Sequence, residues 1–426
     1  MVTEEQRILR TSDMASGLAG SEILKIAAEI RSMTAEGRKI CNLTVGDFSP
    51  TEFRIPQVLE EAIARQYKNG QTNYPPSDGV PELRKAVQAC YKKWFDLDYA
   101  EKSVLVAGGA RPLIYGMYLA VVDPGDLVVY PTPSWNNQHY VHMTGARGVE
   151  VPCHPQDSFL PTRELLKDKL RGARLLSLNS PLNPTGTAFS KEALTGICEL
   201  VIEENLRRSS TERPLYIIYD HIYWMLTFGS TTHVNPVSLV NAIRPYVVFV
   251  DGISKAFAAT GVRVGWAVGP EDLIERMSAI AGHVGAWAPR PEQLASAELL
   301  NQQTEIDRYH DIMKAGVQAR LESLYSRITA LGKEGHPVFA IEPMGAIYLT
   351  ARFNLFGKTT PDGTKLLTNE SIRRYLLQDA QLGIVPFQAF GHEGDTGWFR
   401  LSVGAVSLKD IDEAMTRLRS SLGRLS

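Results

Sequence analysis

Between about Pro81 and Gly269 the chain alternates short, almost wholly apolar runs with stretches of helical periodicity. The runs are DLVVY, ARLLSLN, PLYIIYD, YVVFVDG and VRVGWAVG. A strand that is apolar throughout has to be covered on both faces, and KEALTGICELVIEENL has the helical pattern to cover one. This alternation predicts an α/β fold with a mainly parallel sheet between helical layers. Three runs end in a polar residue, Asn179, Asp220 and Asp251. Open α/β sheets bind ligands at the carboxyl ends of their strands, so these ends predict a site.

The texture changes after Pro291. PEQLASAELLNQQTEIDRYHDIMKAGVQARLESLYSRITALG reads as one or two long helices ending at Gly332. A strand (AIYLTARF), a helix from Asn369 to about Gly383, a strand (WFRLSV) and a final helix follow, the last with a Ser407/Asp410 capping box. Near the start, SEILKIAAEIRSMTAEG puts Ile23, Ile26, Ala27 and Ile30 on one helical face, with Ser21 as cap and Gly37 as stop. GKTTPDGTKLLT (357–368) reads as a mobile polar loop. A chain of 426 residues exceeds one compact core. The expected division is an N-terminal segment, 1–60, joining a small α+β domain, 306–426, beside a large domain, 61–305.

Charge narrows the partners. Lys plus Arg is 45 and Asp plus Glu is 47, a net charge of -2, which provides no footprint for nucleic acid and no polybasic membrane patch. The four cysteines are widely spaced and form no CxxC, as in a reduced, intracellular protein. MVTEEQRILRTSDM has no apolar core of a secretory signal, and no apolar run reaches the ~18 residues of a membrane span. The cytosol is the expected location. His139 and His142 have an HxxH look without further ligands nearby, so no metal is expected. The glycines of GGARPLIYG fit neither dinucleotide nor Walker A spacing.

DGISKAFAATGVRVGW (251–266) holds Lys255 between Ser254 and an Ala-Phe-Ala run, with Arg263 eight residues on. A lysine among small apolar neighbours loses hydration and titrates lower, and a free amine makes Schiff bases with carbonyls. A surface lysine at a strand-to-helix turn would read the same if this stretch stood alone. NSPLNPTG supplies Asn183 in a turn, and YDHIYW puts Asp220 at a strand end with Tyr223 three residues on. Each has a plain reading too, as a turn residue or a helix cap. An acid, an amide, a phenol, a lysine and an arginine at strand ends are together the parts for holding pyridoxal 5′-phosphate: a lysine for its aldehyde, a carboxylate for its ring nitrogen, and donors for its oxygens and phosphate.

In this combination, and over nearly its whole length, the chain resembles the class I/II aminotransferases, the aspartate aminotransferase-like branch of fold-type I pyridoxal-phosphate enzymes. The resemblance implies a large domain with a mainly parallel, seven-stranded sheet and a smaller α+β domain built from both termini. TNYPPSDGVPELRKAV resembles the segment whose tyrosine, here Tyr74, reaches the cofactor phosphate of a neighbouring subunit, which implies a homodimer with shared sites. VAGGARPLIYG resembles the phosphate cup, implying Gly109, Ala110 and Arg111. PGDLVVYPTPSWNNQHY resembles the segment whose aromatic, here Trp135, stacks on the pyridine ring. By the same resemblance Asn183 and Tyr223 contact the phenolic oxygen, Asp220 pairs with the ring nitrogen, Lys255 bonds the cofactor and Arg263 binds its phosphate. WFRLSVG resembles the substrate clamp in which an arginine, here Arg400, holds the α-carboxylate, with Gly46 close by and Trp135 and Asn183 beside it.

The chain departs from the family in three places. Gly252 stands where many relatives have a phosphate-binding serine, leaving Ser254 or the backbone to substitute. Phe48 stands where a proline is usual. Val284 and Ala110 align with the cations that aspartate-specific branches set against a substrate's distal carboxylate; Arg290 and Arg111 lie close to each. The expected function is transamination of an L-amino acid, of the aspartate/glutamate type with aromatic donors possible, with 2-oxoglutarate as acceptor. The alternatives are a lyase, decarboxylase or cyclase on the same scaffold, or a ligand sensor. Sensors of this kind carry a DNA-binding domain upstream, and the 73 residues before Tyr74, which include Gly46, leave no room for one.

Overall fold

A computed structural model describes residues 11–18, 20 and 22–426. Ser21, the expected cap, lies outside the described residues, as do the first ten residues of the N-terminal stretch. The helix it was to open runs from Glu22 to Ala35, buries Ile26, Ala27 and Ile30, and stops before Gly37 in a left-handed conformation (φ 88°).

Seven strands form the central sheet: β1 (Val104–Ala107), β2 (Leu127–Thr132), β3 (Arg147–Pro152), β4 (Ala173–Asn179), β5 (Tyr216–Asp220), β6 (Val247–Gly252) and β7 (Gly265–Val268). Their spatial order is β1-β7-β6-β5-β4-β2-β3. All pair in parallel except β7, which runs antiparallel to both neighbours, β1 and β6. The five expected strands are present. Two further ones are β1, only four residues long, and β3, an edge strand whose mostly exposed residues show no apolar run. Helices cover both faces. Pro81–Phe95, Lys191–Arg207 and Arg290–Leu300 pack on the side of Tyr219 and Phe249, while Ala110–Val121 and Glu271–Val284 pack on the side of Ile218 and Val250. Lys191–Arg207 starts where Ser190 accepts the Ala193 N–H at 3.1 Å, a side-chain cap.

The long C-terminal helical stretch is two helices, Arg290–Leu300 and Gln303–Lys333. The second buries Ile306, Met313, Val317, Leu321, Leu324, Ile328 and Leu331, one stripe at helical spacing. Ile306 joins the large core, and from Met313 on the stripe packs into a second core with an antiparallel sheet, β10-β11-β9-β8, made of β8 (Val338–Ala340), β9 (Tyr348–Phe353), β10 (Val385–Pro386) and β11 (Trp398–Ser402). The helix expected to reach Gly383 ends at Asp379, because Gln381 turns left-handed (φ 52°) and Leu382–Gly383 pairs in parallel with Cys41–Asn42. That pairing stitches the N-terminal segment to the C-terminal core. The Ser407/Asp410 capping box is formed. Among the described residues no helix is long and apolar enough to cross a membrane.

Candidate active site

The carboxyl ends of β4, β5 and β6 deliver Asn179, Asp220 and the Lys255 turn to one place. Asn179 organises the first of these ends. Its Oδ1 accepts the Asn183 N–H and its Nδ2 donates to the Asp220 carbonyl, both at 2.8 Å. Asp220 faces a cavity that Trp135, Asn137, Tyr140 and Ser177 also line. Its carboxyl accepts the Ile222 N–H at 3.1 Å, and burial raises its pKa from 3.8 to about 6, against the pull of that N–H and of Lys255. Asp251, expected at the same mouth, is on the other face of the sheet. Val250 is the residue in register with Asp220, so its successor points away.

Lys255 sits on the short helix Ile253–Ala256, directly after β6. Its Nζ donates to the Gly46 carbonyl at 2.5 Å and lies 5.8 Å from the Tyr223 ring and 5.9 Å from the Phe48 ring. Burial lowers its pKa from 10.5 to about 8; Asp47 opposes this, and Arg400, Arg111 and Arg263 add to it. An amine that frees itself near neutrality can move protons.

A cradle lies beside it. Gly109 (φ 97°) precedes the first turn of Ala110–Val121, so the free N–H groups of that turn open outward. Gly265 backs this turn so closely that a Cβ there would stand 2.6 Å from the Gly109 carbonyl carbon and 2.8 Å from the Ala110 nitrogen. Arg263, itself left-handed at φ 63°, donates to the Gly108 and Thr260 carbonyls, each at 2.8 Å, which holds its guanidinium against Gly109. Arg111, the second residue of the helix, carries its guanidinium 5.2 Å above the Trp135 ring. Ser254 is buried nearby in sequence to Lys255.

The N-terminal segment and β11 complete the site. Arg400 is 1% exposed, yet among the described residues no carboxylate pairs with it. Its Nη2 donates to the Thr44 carbonyl at 2.5 Å and its Nη1 to Asn183 Oδ1 at 3.2 Å, leaving Nε without a partner. Tyr348 and Phe390 flank the guanidinium, each ring 4.8 Å away. A Cβ on Gly46 would fall 2.7 Å from the Tyr348 hydroxyl and 3.6 Å from Arg400 Nη1, so this approach requires glycine. Tyr223 and Tyr348 share a hydroxyl contact of 2.6 Å.

Gly46, Gly109, Ala110, Arg111, Trp135, Asn183, Asp220, Tyr223, Lys255, Arg263 and Arg400 are thus linked through these contacts. Tyr74 and Arg290 are not: the Tyr74 ring is 80% exposed, edge-on to Trp287, and Arg290 Nε donates to Gln71. Tyr348 and Thr44 escape sequence reasoning because both sit in strand-like apolar stretches and read as core. The register holds the missing signal, since Tyr348 lies two places along β9 from Thr350, the partner of Arg400.

The donor set fits pyridoxal phosphate: a cradle of N–H groups and an arginine for the phosphate, a buried acid for the ring nitrogen, and a low-titrating lysine for the aldehyde. Residues 38–418 match the model of the family described as aminotransferase class I and II. The aspartate aminotransferase of Rhizobium meliloti (strain 1021) is 30% identical over 422 residues, covering 96% of each chain. The aspartate/prephenate aminotransferase of Thermus thermophilus is 28% identical, covering 95% of this chain and 96% of that one. Among solved structures, the Rhizobium meliloti enzyme superposes with a TM-score of 0.88 at 29% identity, over 98% of this chain and 99% of that one. A Thermus thermophilus aspartate aminotransferase with maleate superposes at 0.85 and 26% identity, over 96% and 99%. The chain belongs to the class I and II aminotransferases, and it is a pyridoxal-phosphate-dependent transaminase of fold type I.

Proposed function

We propose that this transaminase takes its amino group from an acidic L-amino acid, aspartate or glutamate, uses aromatic donors less well, and passes the group to 2-oxoglutarate. The observation that carries the choice of an amino-acid substrate is Arg400, a buried guanidinium with an unpartnered Nε and no carboxylate of its own among the described residues; the acidic side chain rests on the relatives. Such a cation is costly unless an anion completes it, and a planar fork suits a carboxylate. Arg400 binds the α-carboxylate, with Gly46, Trp135 and Asn183 around it. The relatives named aspartate aminotransferase, and the Thermus thermophilus structure with maleate, a dicarboxylate, favour an acidic substrate.

The bound cofactor supplies an acceptor for the electron pair released when a bond to the substrate's Cα breaks. Lys255 Nζ would take the proton from the substrate's Cα and give it back two atoms along, beyond the amino nitrogen. The Asp220 carboxylate holds the proton on the ring nitrogen, and Tyr223 and Asn183 donate to the phenolic oxygen. Trp135 covers the ring. Gly109, Ala110, Arg111, Ser254 and Arg263 hold the phosphate, joined by Tyr74 of a second copy. Arg290 reaches the distal carboxylate from the same neighbour. The working form is a cytosolic homodimer whose chains divide at 1–60, 61–305 and 306–426 as set out above.

The test is a panel of half-reactions on the holoenzyme. Aspartate and glutamate should be the fastest donors, each forming its 2-oxo acid one-for-one with the aminated cofactor. Arg400→Ala should lower kcat/KM for every donor by about 30- to 1000-fold, the worth of a desolvated bidentate pair. Arg290→Ala should lower it for aspartate and glutamate alone. Product without the matching aminated cofactor would point to a lyase, decarboxylase or cyclase. Equal losses across all donors in Arg290→Ala would remove the acidic assignment.

A further inference from the structure

Asp251 closes β6 on the face of the sheet opposite the cavity, 1% exposed, and among the described residues no Lys, Arg or His pairs with it. Burial raises its pKa well above the ordinary carboxyl range. A carboxyl so placed needs donors, and it has two, from different segments. Oδ1 accepts the Gly252 N–H at 2.7 Å, and Oδ2 accepts the Trp224 indole N–H at 2.8 Å. Gly252 opens the turn that carries Ser254 and Lys255. Trp224 follows Tyr223 and lies four residues beyond Asp220, on the turn that leaves β5. Its ring is wedged against Phe95 at 4.7 Å and Trp94 at 5.0 Å, so this end of the link is fixed to the large core.

We propose that Asp251 is a positioning residue, whose carboxyl ties the lysine-bearing turn to the Asp220–Tyr223 turn and so sets where Lys255 Nζ stands relative to the groups that hold the cofactor ring. The proposal rests on the roles given above to Lys255 and Asp220. The chemistry selects aspartate at this position. An asparagine would accept from one donor and turn its NH2 toward the other, setting two donors face to face. A glutamate would add a methylene where nothing gives way. Because neither donor touches substrate, loss of the link should alter proton movement without altering substrate affinity.

The experiment uses holoenzyme of Trp224→Phe, Asp251→Asn and the double variant. It measures the pH midpoint of the bound cofactor's visible absorbance, kcat and KM for aspartate, and Tm. Trp224→Phe keeps an aromatic ring against Phe95 and Trp94 and removes the indole donor, and Tm reads the cost of the smaller ring. It should move the absorbance midpoint by about 0.5 pH unit or more and cut kcat by about tenfold, with KM held within about twofold. The double variant should lose less than the sum of the two single losses, because both cut the same link. Unchanged midpoint and kcat in Trp224→Phe, whether or not Tm falls, would overturn the proposal, as would fully additive losses in the double variant. Should Asp251→Asn fail to fold, Trp224→Phe decides alone. Failure of the underlying reading is a separate result: Lys255→Ala would then keep the wild-type absorbance and turnover.

Discussion

Lys255 shows at the scale of one side chain how an active site costs stability. Its pKa in the fold is about 8, against an ordinary 10.5, chiefly because burial disfavours the charged form. At neutral pH the cofactor-free protein therefore carries an ammonium that the fold opposes. That cost is present in full below about pH 8. It shrinks as pH rises from about 8 to 10.5, where the folded chain has shed the proton and the unfolded chain still holds it. Lys255→Met should accordingly make the cofactor-free protein more stable at pH 7, by on the order of 2 kcal/mol after allowance for the partly exposed stem. The gain should fade as urea melts are repeated from pH 8 toward 10.5. A gain that stays constant over that range would mean that the methionine packs better, with no part played by the charge. Asp220 is displaced in the complementary sense, its carboxyl raised to about 6. The site thus holds an acid and a base whose surroundings bring both toward neutrality, and a protonated ring nitrogen would restore the carboxylate.

At the scale of elements, the site depends on how closely turns approach one another, and here the sequence is only partly legible. Arg400, in the middle of β11, is marked only by the family resemblance, whereas Lys255, Asp220, Asn183, Tyr223 and Arg263 stand out because charged and polar groups break apolar surroundings near strand ends. Asp251 stands out for the same reason, yet alternation along β6 carries it to the other face; a strand end marks a place but does not say which way its side chain turns. Tyr348 stays hidden because its place follows from the β9–β11 register, and Thr44 because its partner Arg400 lies 356 residues further along the chain. β1 and β3 stay hidden because one is too short and the other too polar to give a periodic signal. Gly252 is a departure that packing explains. A Cβ there would stand 2.7 Å from the Val264 carbonyl oxygen and 2.8 Å from Gly265 Cα, backbone that cannot swing aside. The serine found in many relatives should therefore fail to improve this chain. Gly252→Ser should push β6 and β7 apart, displace Gly265 from the cradle and weaken cofactor binding about tenfold or more, as read by equilibrium titration of absorbance. Tighter binding in Gly252→Ser would show that the backbone yields and that the hydroxyl reaches the phosphate.

At the scale of the molecule, one chain leaves a face that its own core does not cover. Tyr67, Tyr74 and Val284 are 50%, 80% and 68% exposed, and Tyr74 lies edge-on to Trp287. Arg290 joins this neighbourhood through Gln71, three residues from Tyr74. Large apolar side chains gathered beside an arginine are what a self-complementary contact between two copies is built from. If the contact brings Tyr74 to the neighbour's phosphate, each site draws Lys255 from one chain and Tyr74 from the other, and the two lesions can be separated. Lys255→Ala and Tyr74→Ala proteins, each severely impaired alone, should recover activity when mixed and allowed to exchange subunits. Half of a randomly exchanged population is hybrid, and each hybrid has one site with both lesions and one with neither. Recovery should therefore approach about 25% of wild-type activity per site. Native mass spectrometry of differently tagged chains would establish that exchange has occurred. Exchange without recovery would mean that Tyr74 serves its own chain or none, and the face around Trp287 would then need another partner to cover it.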